Sequence, residues 1–158
     1  MVMLLRIRLA DLDDLPSIQA IAQVAYSPYI ARIGKPPAPM QADFAPHQAH
    51  GALWLAEQGS KITGYVVAIP HDDHMALDNI AAVPSGRGTG GRLIAWVEDL
   101  ARAAQTPCVR LYTNVAMTEN LTLYPRLGYV ETHRATDQGF RRVYFEKRLA
   151  PVRPYPPT

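Results

Sequence analysis

The decisive stretch of this sequence is Ala81-Ala82-Val83-Pro84-Ser85-Gly86-Arg87-Gly88-Thr89-Gly90-Gly91-Arg92-Leu93. An apolar run ends there, glycines gather in the next positions, and residues with helical periodicity follow. We therefore predict a strand, a short loop and the beginning of a helix. Glycine has no Cβ, so such a loop can bring backbone N–H groups close to an anion, and the helix dipole favours the same charge. We call residues 85–91 the glycine cradle, and we predict that it binds pyrophosphate.

The composition favours one small domain. The 158 residues suffice for one buried core but not for two catalytic domains. We expect a single domain over residues 1–150 and a loose, proline-rich tail over residues 151–158. Lys and Arg number 16 against 14 Asp and Glu, and the formal charge of +2 gives no electrostatic basis for binding nucleic acid.

Cysteine usage and hydropathy favour an intracellular protein. The sequence has a single cysteine, Cys108, so no internal disulfide can form. Arginines interrupt residues 1–8 before a signal-length apolar segment develops, and no uncharged apolar run approaches ~18 residues. We therefore expect a soluble cytoplasmic protein that does not associate with a membrane.

The periodicity of the sequence predicts alternating strands and helices. We expect strands over 4–9, 52–57, 61–70, 75–83, 109–113, 129–134 and 140–149, and helices over 15–26, 40–50, 93–104 and 117–127. In the third helix, Glu98 lies opposite the apolar stripe and is expected to face solvent. In the last strand, Val143 and Phe145 alternate with Arg142 and Tyr144, which predicts one buried face. These elements indicate an α/β fold with a mixed, twisted sheet of about seven strands and roughly four helices.

Two familiar phosphate motifs do not fit the glycine cradle. A Walker loop requires Lys and then Ser or Thr after its last glycine, but Arg92 and Leu93 follow Gly91. Gly86, Gly88 and Gly91 match the spacing of the dinucleotide fingerprint, but no strand with an acidic end follows the helix as that motif requires. A nucleotide-binding protein that uses these glycines is one alternative.

Two blocks of the sequence together carry a resemblance to a known family. The first is Val83-Pro84 followed by Gly86-Arg87-Gly88-Thr89-Gly90-Gly91-Arg92-Leu93-Ile94, and the second is Asn120-Leu121-Thr122-Leu123-Tyr124-Pro125-Arg126-Leu127-Gly128-Tyr129. They resemble the acyl-CoA signature and the later motif of the GNAT superfamily of N-acetyltransferases, and the resemblance extends over residues 5–149. It implies the GNAT fold with a sheet splayed near Ala82 to admit acyl-CoA, acetyl-CoA as co-substrate, transfer to an amine, and a homodimer.

The resemblance also implies which residues bind the co-substrate. Backbone N–H groups of residues 87–91 would hold the pyrophosphate, and the strand around Ala82 would pair with the pantetheine arm. We expect the acetyl-CoA site to comprise Ala81, Ala82, Val83, Ser85, Gly86, Arg87, Gly88, Thr89, Gly90, Gly91, Arg92, Asn120 and Tyr124. The family usually carries Gln or Arg where Ser85 stands, and the loop is one residue short after Pro84. Arg87 and Arg92 offer the missing charge, since guanidinium suits phosphate oxygens.

Tyr124 and Asp78 are the candidate catalytic residues. In similar enzymes the tyrosine at the place of Tyr124 lies beside the thioester sulfur and can protonate the departing thiolate, while packing beside Leu121 and Leu127 is the alternative. Related enzymes often carry a base or a water-holding residue where Asp78 stands, so it is the first candidate to accept the proton of the amine. Other candidates for the base are His71, His74 and Glu119.

The proline-rich segment over residues 26–40 carries aromatic side chains, so we interpret it as an ordered loop over a ligand site. Apolar walls together with charges are typical of a pocket that fixes one end of a small ligand. The expected substrate-binding residues are Tyr26, Tyr29, Arg32, Met40 and Phe44. Packing of Tyr26 and Phe44 on the sheet is the alternative. We expect a small-molecule amine as the acceptor, whose identity the residues do not indicate.

A metal site and a non-catalytic role are the remaining alternatives. His71-Asp72-Asp73-His74 offers no third ligand at a recognisable spacing, so we expect no metal. A regulatory or interaction module that binds CoA without catalysis would keep the glycine cradle. Ser85 favours that alternative, and Tyr124 argues against it.

Overall fold

A computed structural model describes residues 4–150 of the chain. Its strands are β1 (Leu5–Leu9), β2 (Leu53–Gln58), β3 (Lys61–Pro70), β4 (Met75–Ala82), β5 (Cys108–Asn114), β6 (Val130–Asp137) and β7 (Phe140–Arg148). Its α-helices are α1 (Leu15–Tyr26), α2 (Ile30–Ile33), α3 (Ala45–Ala49), α4 (Thr89–Ala103) and α5 (Thr118–Arg126). The strands form one mixed sheet in the order β1-β2-β3-β4-β5-β7-β6. The predicted α/β class and seven-stranded sheet are confirmed, and the predicted tail over 151–158 lies outside the described residues.

The structure differs from the prediction mostly between α1 and β2. The predicted loop over residues 26–40 contains two 3-10 turns, Ser27–Tyr29 and Ala38–Gln41, with α2 between them. The helix predicted over residues 40–50 is shortened to α3, because Pro46 has no N–H and stands in its first turn. None of the helices described between residues 4 and 150 is long and apolar enough to cross a membrane.

The described chain divides into two compact units. The first unit runs through Ile69 and resumes over Leu77–Ala95, and the second comprises Pro70–Ala76 and the chain from Trp96 onward. The expectation of one domain over residues 1–150 stays a prediction.

The core of the first unit lies where α1 packs on the inner face of the strands. Ile18 and Ile21 recur at helical spacing on α1, and both are buried. Leu53 and Leu55 of β2 are buried on either side of the half-buried Trp54, and their two-residue spacing places them on one face of the sheet. The buried cluster comprises Ala10, Ile18, Ile21, Ala22, Phe44, Leu53, Leu55, Tyr65, Val67 and Ala81.

Gly64 of β3 marks a close approach within the first unit. It pairs with Ala56 across the β2–β3 ladder. A Cβ at this position would lie 2.9 Å from the carbonyl oxygen of Ala81, 3.1 Å from Leu93 Cδ1 and 3.2 Å from Thr89 Cγ2. Only glycine therefore lets the end of β4 and the first turns of α4 lie this close to β3.

The second unit contains an antiparallel sheet of β5, β7 and β6. As predicted, Val143 and Phe145 on β7 are buried. The predicted alternation is wrong for Arg142, which was expected on the exposed face but is also buried, at 7% exposure. Its guanidinium lies 4.1 Å from the ring centroid of Tyr112 and donates to Asp137 Oδ2 at 2.7 Å, and these partners replace the solvent that it loses.

Substitution of Gly64 by alanine tests the close approach in the first unit. The new Cβ forces the Ala81 carbonyl to move, so we expect the free energy of unfolding to fall by about 1–3 kcal/mol, as overpacking does. The matched control is Gly91→Ala, whose Cβ meets no atom within 4 Å. Alanine in this helical position should stabilise by up to ~1 kcal/mol. Urea unfolding measures both effects, and equal stabilities of the two variants would contradict the constraint.

Candidate functional site

Two neighbouring elements hold the end of β4, where the strand enters the glycine cradle. The Val83 N–H donates to the carbonyl oxygen of Thr63 on β3 at 2.9 Å. The Tyr26 hydroxyl, at the end of α1, donates to the carbonyl oxygen of Ile80 at 2.5 Å. Ala81 is buried and Ala82 is half-buried. The backbone that precedes the cradle is therefore fixed on both sides within the first unit.

The cradle itself is exposed and depends on glycine conformation. Gly86 and Gly88 have φ angles of 79° and 83°, in the left-handed region that other residues rarely adopt. An added Cβ at either glycine would meet no atom within 4 Å, so the requirement is conformational rather than steric. The next N–H groups belong to the first turn of α4, where the amides have no acceptor inside the helix. The Arg92 N–H makes a hydrogen bond of the helical type, because it donates to the Gly88 carbonyl oxygen four residues earlier, at 3.1 Å.

Side chains around the cradle divide into exposed and buried ones. Ser85, Arg87 and Arg92 are exposed, so their polar groups are accessible to an anion at the loop. Thr89 is 8% exposed, and its methyl group lies in the close approach at Gly64. Thr89 therefore contributes its backbone N–H to the cradle while its side chain packs in the first unit.

Tyr124 lies on α5 in the second unit and is 4% exposed. Its ring packs edge-on against Tyr129, with centroids 5.8 Å apart, and tilted against Phe145 at 5.7 Å. Among residues 4–150 the Tyr124 hydroxyl has no hydrogen-bond partner. Burial raises the pKa of Tyr124 to about 12, so the hydroxyl keeps its proton at neutral pH. Packing accounts for the position of the ring, and a catalytic role for the hydroxyl stays a prediction.

Asn120 was predicted to bind the co-substrate, and the structure places its side chain against β5. Its Nδ2 donates to Thr113 Oγ1 at 3.0 Å and lies 3.8 Å from Met117 Sδ. These contacts connect the first turn of α5 to the strand within the second unit. A role for Asn120 in binding acetyl-CoA stays a prediction.

The candidate bases lie in different surroundings. Asp78 is exposed on β4, and Glu119 is exposed at the start of α5. His71 and His74 stack with centroids 4.5 Å apart, and His74 Nδ1 lies 2.7 Å from Asp73 Oδ1. The hydrogen bond with His74 lowers the pKa of Asp73. Within residues 4–150, no three His, Cys, Asp or Glu side chains are placed to hold a metal ion.

The expected substrate residues lie partly in the segment after α1 and partly in the core. Tyr26 and Tyr29 lie 6.4 Å apart by ring centroids, and the Arg32 guanidinium lies 5.0 Å from the Tyr29 ring. Met40 is connected to α1, because Gln23 Nε2 donates to its carbonyl oxygen at 2.7 Å. Phe44 is 2% exposed and lies in the core, which agrees with the packing alternative, and a role in binding the substrate stays a prediction.

Sequence reasoning missed several residues near Tyr124. Glu98 was expected to face solvent, but it is 7% exposed and accepts hydrogen bonds from Tyr129 and Lys147. Lys147 is 49 residues away from Glu98, so no local pattern could reveal the pair. An acidic residue facing a sheet requires such partners, but the sequence does not indicate which ones they are.

A sequence model described as the "Acetyltransferase (GNAT) family" matches residues 17–129. The chain belongs to the GNAT acetyltransferase family. This confirms the family expected from the glycine cradle and from the block that contains Tyr124.

Among curated relatives, this GNAT chain is similar to N-acetyltransferase 8F1 of Rattus norvegicus. The two are 26% identical over 116 residues, which are 68% of this chain and 52% of that protein. The chain spans about half the length of the curated relatives it matches.

Solved structures support the fold of this GNAT chain. The ribosomal-protein-S18-alanine N-acetyltransferase from Escherichia coli matches with a TM-score of 0.74 at 20% identity, over 96% of this chain and 99% of that chain. PaiA N-acetyltransferase from Thermoplasma acidophilum in complex with coenzyme A matches with a TM-score of 0.78 at 15% identity, over 93% and 100%. The GNAT-like fold is thereby confirmed.

Substitution of Gly88 by glutamate tests the cradle. A carboxylate beside the exposed amides repels an anion, so calorimetry should detect no binding of acetyl-CoA to Gly88→Glu. The matched control is Gly51→Glu, which also replaces an exposed glycine with positive φ, here 68°, and no atom within 4 Å of the added Cβ. Both variants carry a similar backbone strain of about 1–2 kcal/mol, but only Gly88→Glu should lose binding. Unchanged affinity in Gly88→Glu would contradict the assignment.

Proposed function

We propose that this chain transfers the acetyl group of acetyl-CoA to the primary amine of a small molecule by direct attack. The observation that carries the proposal is the glycine cradle, whose exposed amides stand at the start of α4 after two left-handed glycines. Membership of the GNAT family supports acetyl-CoA as the donor, because GNAT proteins use this co-substrate. The structure of PaiA with coenzyme A supports the same donor.

In this proposal the cradle binds the pyrophosphate of acetyl-CoA. The N–H groups of residues 87–91 donate to phosphate oxygens, while Arg87 and Arg92 supply positive charge and Ser85 supplies a hydroxyl. The backbone of Ala81, Ala82 and Val83 pairs with the pantetheine arm, and an N–H of this strand polarises the thioester carbonyl. Gly64 and Thr63 support the role indirectly, since they hold this backbone in place.

The reaction that we propose needs one proton acceptor and one proton donor. The neutral amine attacks the thioester carbon, the carbon–sulfur bond breaks, and coenzyme A leaves as a thiolate. The amine proton passes to water or to Asp78, which is exposed on β4. Tyr124 protonates the thiolate, since its buried hydroxyl keeps its proton at neutral pH.

The segment between α1 and α3 supports a small acceptor. Tyr26 and Tyr29 present neighbouring rings, which offer apolar walls to a small ligand. Arg32 lies over the Tyr29 ring, and its charge suits an acceptor that carries a carboxylate. The name of the Escherichia coli relative indicates a protein acceptor, so a protein N-terminus is the competing outcome. A cytoplasmic location and a homodimer stay predictions.

A panel of acceptors tests the proposed reaction. We expect coenzyme A thiol to be released with small primary amines, faster with amines that carry a carboxylate than with diamines, because Arg32 repels a second cation. Mass spectrometry should find one acetyl group on the amine. Turnover with N-terminal peptides alone would contradict the small acceptor. Binding of acetyl-CoA without turnover on any amine would contradict the enzyme and favour a non-catalytic CoA-binding module.

Substitution of Tyr124 by phenylalanine tests the proton donor. The variant keeps the packed ring but loses the hydroxyl, so kcat with the best acceptor should fall by about 100-fold while the affinity for acetyl-CoA is unchanged. Tyr112→Phe is the matched control, because Tyr112 lies on β5 with an exposed side chain. Unchanged kcat in Tyr124→Phe, measured by thiol release, would remove Tyr124 from the mechanism.

A further inference from the structure

Glu98, Tyr129 and Lys147 form a largely buried polar network in the second unit. The Tyr129 hydroxyl donates to Glu98 Oε2 at 3.0 Å, and Lys147 Nζ donates to Glu98 Oε1 at 2.9 Å. Lys147 Nζ also lies 5.7 Å from the centroid of the Tyr129 ring. The network therefore connects α4, the segment after α5 and β7 through one buried carboxylate.

Tyr129 connects this network to Tyr124 directly. The two rings meet edge to face at an interplanar angle of 70°. The Tyr129 N–H also donates to the Tyr124 carbonyl oxygen at 3.0 Å. Because the Tyr124 hydroxyl has no hydrogen-bond partner among the described residues, packing against Tyr129 and Phe145 determines where its ring points.

The end of α5 also contacts Lys147. Gly128 has a φ of 94°, which ends the helix in the left-handed conformation that glycine favours. An added Cβ on Gly128 would lie 3.2 Å from Lys147 Cε, so the lysine side chain lies directly on this backbone. Lys147 thus contacts both the turn that follows Tyr124 and the carboxylate that holds Tyr129.

A buried carboxylate with two donors is a poor way to gain stability, because desolvation offsets most of the attraction and apolar side chains of similar volume often stabilise as well or better. Such a network does impose directions, since each hydrogen bond fixes a distance and an angle. Burial and the nearby Glu98 carboxylate raise the pKa of Tyr129, so its hydroxyl remains the donor to Glu98.

We propose that Glu98, Tyr129 and Lys147 are positioning residues that fix the ring of Tyr124 and thereby determine how efficiently its hydroxyl delivers a proton. This inference rests on the proposed role of Tyr124 in the reaction. The network acts on the step of proton transfer and not on the binding of acetyl-CoA. A loss of the network should therefore lower kcat without changing KM for acetyl-CoA.

Two substitutions, Tyr129→Phe and Glu98→Gln, each remove one property of the network. Tyr129→Phe removes one hydrogen bond and keeps the ring, and Glu98→Gln removes the charge and keeps the shape. We expect kcat to fall by about tenfold in each, with KM for acetyl-CoA unchanged, because small displacements of a reacting group slow the chemical step. The control is Glu146→Gln. Glu146 lies on β7 beside Lys147, and the change breaks its 2.9 Å ion pair with Arg110 of β5, so kcat should be unchanged. Thermal unfolding establishes that all variants are folded at the assay temperature.

A double-mutant cycle separates positioning from general stability. In the Tyr124→Phe background there is no phenolic proton to deliver, so adding Tyr129→Phe should lower kcat no further. An equal additional loss in that background, or unchanged kcat in both single variants, would overturn the positioning role alone. Full turnover in Tyr124→Phe would instead overturn the proposed function of Tyr124, and the positioning role with it.

Discussion

The close approach at Gly64 is the constraint on which the first unit depends. With no side chain at this position, β3 comes so near the Ala81 carbonyl oxygen that a Cβ would stand 2.9 Å from it. The same space receives the Thr89 methyl group from the first turn of α4. The end of β4 and the start of α4 are thus both held against the backbone of Gly64. The exposed cradle that joins them is short. The left-handed glycines of the cradle turn the chain within that short connection.

A different kind of constraint operates in the second unit. There, each buried charge is matched by hydrogen-bond partners: Arg142 by Asp137, and Glu98 by both Tyr129 and Lys147. Each pair joins parts that are distant in sequence or lie on different strands, so losing one partner leaves a charge in a poorly solvated place. Hydrogen bonds also have preferred directions, which apolar contacts lack. The ring of Tyr124 lies among groups fixed in this way, although its own hydroxyl does not take part.

Much of the fold could be predicted because it depends on local patterns. Alternation in β7, helical spacing in α1 and the glycine after α5 each follow from residues close in sequence. Local patterns do not reveal the residues whose surroundings come from distant partners. Glu98 is buried because Lys147 and Tyr129 reach it, and Phe44 joins the core because Tyr65 packs on it at 5.0 Å. The roles of the cradle residues and of Tyr124 stay predictions. They depend on contacts with a bound ligand, and hydrophobic periodicity in the sequence does not indicate such contacts.

We propose that the backbone amides of residues 87–91 bind the pyrophosphate of acetyl-CoA. The decisive experiment measures amide chemical shifts by NMR on the nitrogen-15-labelled chain and compares coenzyme A with pantetheine, which lacks the pyrophosphate. We expect downfield shifts of these amide protons with coenzyme A, because they form hydrogen bonds to phosphate, and no shifts with pantetheine. Equal shifts with both ligands, or shifts with coenzyme A confined to other parts of the chain, would contradict it.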